Sequence, residues 1–151
     1  MKRKLTPCMG ICSTTYGDLV CRGCKRFAHE IVEWNSYDQE QRETVWHRLE
    51  EMRAQVFGQA LMITDIAGYL GFCRLHNLSV ELDIQRLHEV LTLLVRESAY
   101  LSTAGLQVRV DQGYSYANSK NPSALEVVRV LDQAIYQRAQ AHYERNFRIV
   151  P

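Results

Sequence analysis

The chain has 151 residues, 46% of them apolar and 23% charged, with a formal net charge of +1. That length suits one ordinary domain, and the apolar share can build a real core, so folding need not rest on a metal alone. Near-neutrality singles out no class of partner, and the most apolar stretch, residues 87–95, carries His88 and Glu89 and is too short to cross a bilayer.

The charge is unevenly spread. Residues 1–26 hold Lys2, Arg3, Lys4, Arg22, Lys25 and Arg26 against the one acid Asp18, a sum of +5 that leaves −4 for the rest. No long apolar run follows Lys4, so a secretory leader is not expected and the reading is a soluble, cytoplasmic protein. Four of the five cysteines fall within seventeen residues of this basic segment. That usage fits a metal in a reducing compartment better than a disulfide framework.

In chain order, residues 1–26 read as a loop-rich cysteine segment with Gly10, Gly17 and Gly23 at turns. Residues 26–34 read as a short helix with Phe27, Ile31 and Trp34 on one side. Asp38 and Gln41 have the spacing of a capping box, and the helix after them sets Val45, Leu49, Met52 and Val56 on one stripe, with an interruption expected at Gly58. Residues 59–76, apolar nearly all round, read as a buried helix broken near Gly68 or Gly71. Ser79 is expected to cap a further helix to about residue 101, with Leu87, Val90, Leu91, Leu94 and Val95 inward. Alternation over 106–110 predicts a short strand, and 111–122 a polar loop. Ser123 caps a last helix whose predicted stripe is Leu125, Val128, Leu131, Ile135 and Ala139. The expected fold is mainly α: a four-cysteine metal knuckle over 1–34 packed on a helical body over 35–151, with one short strand or hairpin.

The cysteines carry the chemistry. Cys8 and Cys12 form a C-x3-C pair, eight residues follow, and Cys21 and Cys24 form a C-x2-C pair. Each pair brings two thiolates to one side of a tight turn, and the short loop lets the pairs face each other around one tetrahedral ion. Glycine inside each pair lets backbone N–H groups turn toward sulfur. Four thiolates serve either Zn²⁺ or an iron–sulfur cluster; the spacing lies in the structural-zinc range and matches neither common ferredoxin run, which favours one Zn²⁺.

Pro7-Cys8-x-Gly10-x-Cys12, Cys21-Arg22-Gly23-Cys24, Glu30-Ile31-x-x-Trp34 and the acidic helix containing Arg42 resemble domain-of-unknown-function family 1289, small cysteine-rich bacterial proteins described as predicted iron–sulfur proteins. The resemblance covers about residues 6–52, roughly a third of the chain. It implies a bacterial, cytoplasmic protein, raises an iron–sulfur cluster as the alternative cofactor, and supplies no reaction. Phe27 stands where a small hydroxyl residue is expected.

The other constellations are weaker. Cys73 and His76 have ligand-like spacing, yet two ligands make no site, and Cys73 reads as a buried structural cysteine. Tyr116 and Lys120 imitate a dehydrogenase pair without any nucleotide-binding strand–turn–helix. Tyr114 and Tyr116, with Arg109 and Lys120, are spaced to stack bases and touch phosphates, although a plain polar loop is the simpler reading. His29 is a candidate donor beside the cysteines. No catalytic group of residues emerges and no small-molecule substrate is evident. The leading expectation is a non-enzymatic zinc-binding interaction or regulatory module. Lys2, Arg3, Lys4, Arg22, Lys25 and Arg26 are its candidate contacts to RNA or a protein partner. The alternative is an iron–sulfur protein for electron transfer or redox sensing.

Overall fold

The structure, a computed structural model, describes residues 5–79, 84–118 and 120–147. It is mainly helical: α1 (Ala28–Glu33), α2 (Gln39–Ala60), α3 (Ile66–Leu75), α4 (Ile84–Arg96) and α5 (Ala124–Asn146), with β1 (Leu61–Ile63) and β2 (Leu106–Val108) pairing antiparallel. None of the described helices is long and apolar enough to cross a membrane. The chain sorts into two compact units, one of Met1–Arg53 with Ala134–Pro151 and one of Ala54–Gln133.

In the first unit, the cysteine loop has little regular structure beyond a 3-10 turn at Ser13–Tyr16, and it leads into α1. The capping box at the start of α2 forms as expected: Gln41 N–H donates to Asp38 Oδ1 at 2.8 Å and Asp38 N–H to Gln41 Oε1 at 2.9 Å. The apolar stripe that follows buries Val45 and Leu49 against Trp34. A second small core joins Val20 and Phe27 to Tyr136 and Ala139 of α5, with Met52 and Tyr143 packed against it.

The second unit corrects several expectations. Gly58 does not interrupt α2, which runs on to Ala60. One exposed glycine costs a helix about 1 kcal/mol against alanine, and the burial of Val56, Phe57 and Ala60 around it outweighs that. The apolar run after it breaks at β1, not at Gly68 or Gly71, which both lie inside α3. A short apolar run does not distinguish buried helix from strand by periodicity, and β1 finds its partner more than forty residues away, at Leu61↔Val108 and Ile63↔Leu106. Asp65 then caps α3, its Oδ1 accepting from Gly68 N–H at 3.0 Å. Gly105 accepts from both Thr64 and Asp65 N–H while holding φ at +66°, and a Cβ there would lie 2.3 Å from the Asp65 carbonyl oxygen. Only glycine fits that crossing.

The start expected for α4 at Ser79 abuts residues 80–83, outside the described ones; the helix ends at Arg96, before the 3-10 turn Leu101–Ala104. Leu87, Val90, Leu91 and Leu94 are inward as expected. In β2, Leu106 and Val108 are buried and Gln107 exposed, the expected alternation. Ser123 Oγ caps α5 by accepting from Glu126 N–H at 3.3 Å. The inward stripe of α5 begins at Ala124 and Val127, with Leu125 on the surface, and rejoins the expected positions at Leu131, Ile135 and Ala139.

Candidate metal centre

The two cysteine pairs sit on two different local frames. In the first, Cys8 is exposed and its sulfur accepts the Gly10 N–H at 3.4 Å, with Gly10 at φ +89° turning the backbone. Cys12 is half-buried, its sulfur 2.8 Å from Thr14 Oγ1. The 3-10 turn after it ends at Gly17, φ +98°.

The second pair lies at the head of a tight antiparallel turn. Val20 bridges Phe27, Cys21 N–H donates to Arg26 O and Lys25 N–H to Cys21 O, each at 2.9 Å. Lys25 closes the turn in the left-handed region at φ +66°. Burial pushes the Cys21 thiol up, but backbone N–H groups of Cys24, Ser13 and Gly23, with the Cys24 thiol, favour the thiolate and bring it down to about 7. The Cys24 thiol is pushed the other way, by burial first and also by the neighbouring Cys21 charge, against the pull of Arg26. Two adjacent thiols behave this way as a pair: the first ionises early and holds back the second.

The two frames touch. A Cβ on Gly23 would meet Ile11 O at 2.8 Å and Met9 Cβ at 3.7 Å, so glycine is what admits the second turn against the first. Cys21 Sγ lies 3.6 Å from that same Ile11 carbonyl, and Arg22 N–H donates to Ser13 Oγ at 2.8 Å. The structure thus carries Cys21 and Cys24 on one tight turn and sets that turn against the Cys8–Cys12 segment. It does not close a four-sulfur cluster, for among the described residues no three His, Cys, Asp or Glu side chains converge as a ligand group.

The cations around the cysteines have diverse fates. Lys2, Arg3 and Lys4 lie outside the described residues. Lys25, 5% exposed, sends its ammonium inward to Arg22 O at 2.6 Å and Gly23 O at 2.9 Å. Arg26, 4% exposed, donates from Nε to Cys24 Sγ at 3.3 Å and stacks its guanidinium 4.9 Å over the Trp34 ring. Arg22 alone of these three is exposed; its Nε is 3.2 Å from Asp18 Oδ2, and its guanidinium lies 5.4 Å over the Tyr136 ring. Lys25 and Arg26 therefore brace the turn and offset sulfur charge, with little surface left for a phosphate.

Sequence reasoning named Glu30 only within a motif and Arg48 not at all, and the role of neither was foreseen. Glu30, 4% exposed, accepts the Phe27 N–H at 2.8 Å and a two-pronged pair from Arg48 at 2.6 and 2.7 Å. Its spacing three residues after Phe27 was the available signal, half of a capping box. Arg48, eighteen residues further on, carries no such signal.

The remaining candidates are placed as follows. His29 lies tilted against Phe27 and Phe147, with ring centroids 5.8 and 5.0 Å away. Cys73 is fully buried, its thiol pushed up by burial, as a structural cysteine should be. His76 Nε2 pairs with Glu97 at 3.2 Å. Tyr114 and Tyr116 are half-buried in the second unit, and burial, with Tyr114 and Glu126 adding, pushes the Tyr116 hydroxyl up to about 12. Arg109 donates to Leu61 O at 3.3 Å beside β1, and Lys120 is exposed.

Residues 6–53 match a protein family described as "Protein of unknown function (DUF1289)", the stretch that carries both cysteine pairs, α1 and most of α2. Neither a curated protein nor a solved structure matches the chain.

Proposed function

We propose that residues 6–34 are a structural metal module, in which Cys8, Cys12, Cys21 and Cys24 hold one Zn²⁺, and that the module presents a surface to a protein partner. One observation supports the metal reading: Gly10 N–H donates to the Cys8 sulfur at 3.4 Å and Arg26 Nε to the Cys24 sulfur at 3.3 Å, while, against the upward push of burial, hydrogen bonding holds the Cys21 thiol down at about 7. Donors gathered on a sulfur stabilise a thiolate, the form that binds a soft cation. Such an ion would cross-link the two turns that Gly23 brings into contact. Arg26 on Cys24 lowers the net charge of the thiolate set.

A protein partner is favoured over RNA by what the cysteine segment exposes. Met9 and Ile11, inside the first pair, are 65% and 72% exposed, and Leu19 is 54% exposed, while two of the three described cations are buried. Elemental analysis and a visible spectrum of protein purified without oxygen test the proposal. Colourless protein with one zinc per chain is the expected result. Iron with acid-labile sulfide would replace it with the redox reading, and metal-free protein would end both.

A further inference from the structure

Between residues 17–20 and one face of α5 lies an open cleft of about 320 Å³, wholly within the first unit. Tyr136, which is buried, lines it together with Tyr143, whose ring is held 5.3 Å from that of Phe27. Two carboxylates, Asp18 and Glu144, line it as well, and no cation does. Aromatic faces beside carboxylates recognise organic cations, because the ring quadrupole attracts the charge and the carboxylate accepts the N–H donors. The chain itself displays that chemistry beside the cleft: the Arg22 guanidinium lies 5.4 Å over the Tyr136 ring, with Nε 3.2 Å from Asp18 Oδ2. Arg22 does not line the cleft, and its side chain is 68% exposed. An ion pair so open to water is weak and yields to a competitor.

We propose that this cleft receives an arginine side chain of the protein partner, its guanidinium taken by Asp18 and Glu144 and flanked by Tyr136 and Tyr143. The carboxylates supply the charge complementarity, and a planar, weakly hydrated guanidinium both stacks on tyrosine and forks onto a carboxylate, which an ammonium does not. The volume lies at the small end for ligand sites, the size of one side chain rather than a cofactor. The cleft is open on one side, so a side chain can enter while its own backbone stays outside. Leu19, which lines the cleft, is also one of the three exposed apolar side chains behind the partner reading. The proposal rests on that partner reading and is independent of the metal. Arg22 is then a resident competitor: it occupies Asp18 and Tyr136 in the free chain and swings away when the partner's guanidinium replaces it.

The test uses the full chain as purified, isotope-labelled for amide NMR and titrated into the millimolar range with acetyl-Gly-Arg-Gly-amide. The same peptide with citrulline, the neutral isostere of arginine, is the control. Amide signals of Gly17, Asp18, Leu19, Gln140 and Glu144 should shift and saturate with the arginine peptide and stay still with the citrulline one. Asp18→Asn and Glu144→Gln should each weaken binding by about threefold, and Arg22→Gln should tighten it by about threefold; the same spectra report whether each variant is folded. An equal response to citrulline, or unchanged affinity in both acid variants, would overturn the site. Weaker or unchanged binding by Arg22→Gln would overturn the competitor. Agmatine, a free small guanidinium compound, binding more tightly than the peptide would mark a small-molecule site and overturn docking. Shifts at Met9 and Ile11 without any in the cleft would overturn the cleft and keep the partner reading, and no shift at all would overturn the cleft alone.

Discussion

Glu30 shows how one side chain can fix a segment with almost no hydrophobic core. Phe27 occupies the N-cap of α1 and offers no side-chain acceptor to the first turn, so of the capping box only the returning half is made, with Glu30 accepting the Phe27 N–H. Phe27 in return is fully buried, with the Arg48 guanidinium 4.2 Å over its ring and His142 stacked at 5.7 Å. The carboxylate is desolvated, so its balance depends on the two-pronged bond to Arg48. Replacing one partner of such a pair leaves an uncompensated buried charge, whereas replacing both does not. Arg48→Met should therefore lower the stability of the first unit by about 3–5 kcal/mol, and Glu30→Gln added to it should recover most of the loss. Urea unfolding of the parent, the single and the double variant decides this; a double variant as unstable as the single would show that packing on Phe27, not charge, is what Arg48 supplies.

At the scale of elements, Trp34 is the joint between the second cysteine turn and α2. It is 7% exposed, packs on Val45 and Leu49, and lies between the guanidinium groups of Arg26 at 4.9 Å and Arg42 at 5.5 Å. Because Arg26 also touches Cys24, an unbroken series of contacts runs from sulfur to helix. Trp34→Ala should cost about 3–5 kcal/mol, and Trp34→Phe distinctly less, in chemical denaturation of each variant. An alanine cost under about 1 kcal/mol would mean the stacked arginines close over the gap unaided. The burial of Trp34 was legible in the sequence because it follows from local period, as were the capping box at Asp38, the stripe of α4 and the alternation in β2. What was not legible needs distant partners. β1 is an apolar run until Leu106–Val108 pairs with it, and Lys25 and Arg26 count as surface charges until the turn folds their ends onto its own carbonyls and sulfur. The four cysteines were legible as spacing; that the second pair is the better organised was not, since it depends on Ser13, Gly23 and Arg26 meeting it in space.

For the whole molecule, the two units differ in what holds them. The second has its own core, with Tyr69, Leu91, Leu94, Leu106 and Val127 among its fully buried side chains. The cysteine segment has almost nothing comparable: between residues 5 and 19 the large apolar side chains Leu5, Met9, Ile11, Tyr16 and Leu19 are all exposed. From Val20 onward the chain is anchored by the bridge to Phe27 and the core around it. Burial on this scale cannot offset the roughly 1–2 kcal/mol per residue that ordering the backbone costs, and the proposed metal centre would supply residues 6–19 with a cross-link to the anchored turn. Hydrogen exchange before and after chelation should therefore show a gradient. Amides of residues 6–19 should lose protection by tenfold or more, Cys21 N–H, bonded to Arg26 O, should keep part of its protection, and amides around Leu91, Leu94 and Leu106 should not change. Cys21→Ser/Cys24→Ser should reproduce the chelated pattern without any chelator. Equal protection of residues 6–19 with and without chelation would mean that the contacts at Gly23 and Ser13 suffice to order the segment, and that no metal organises it.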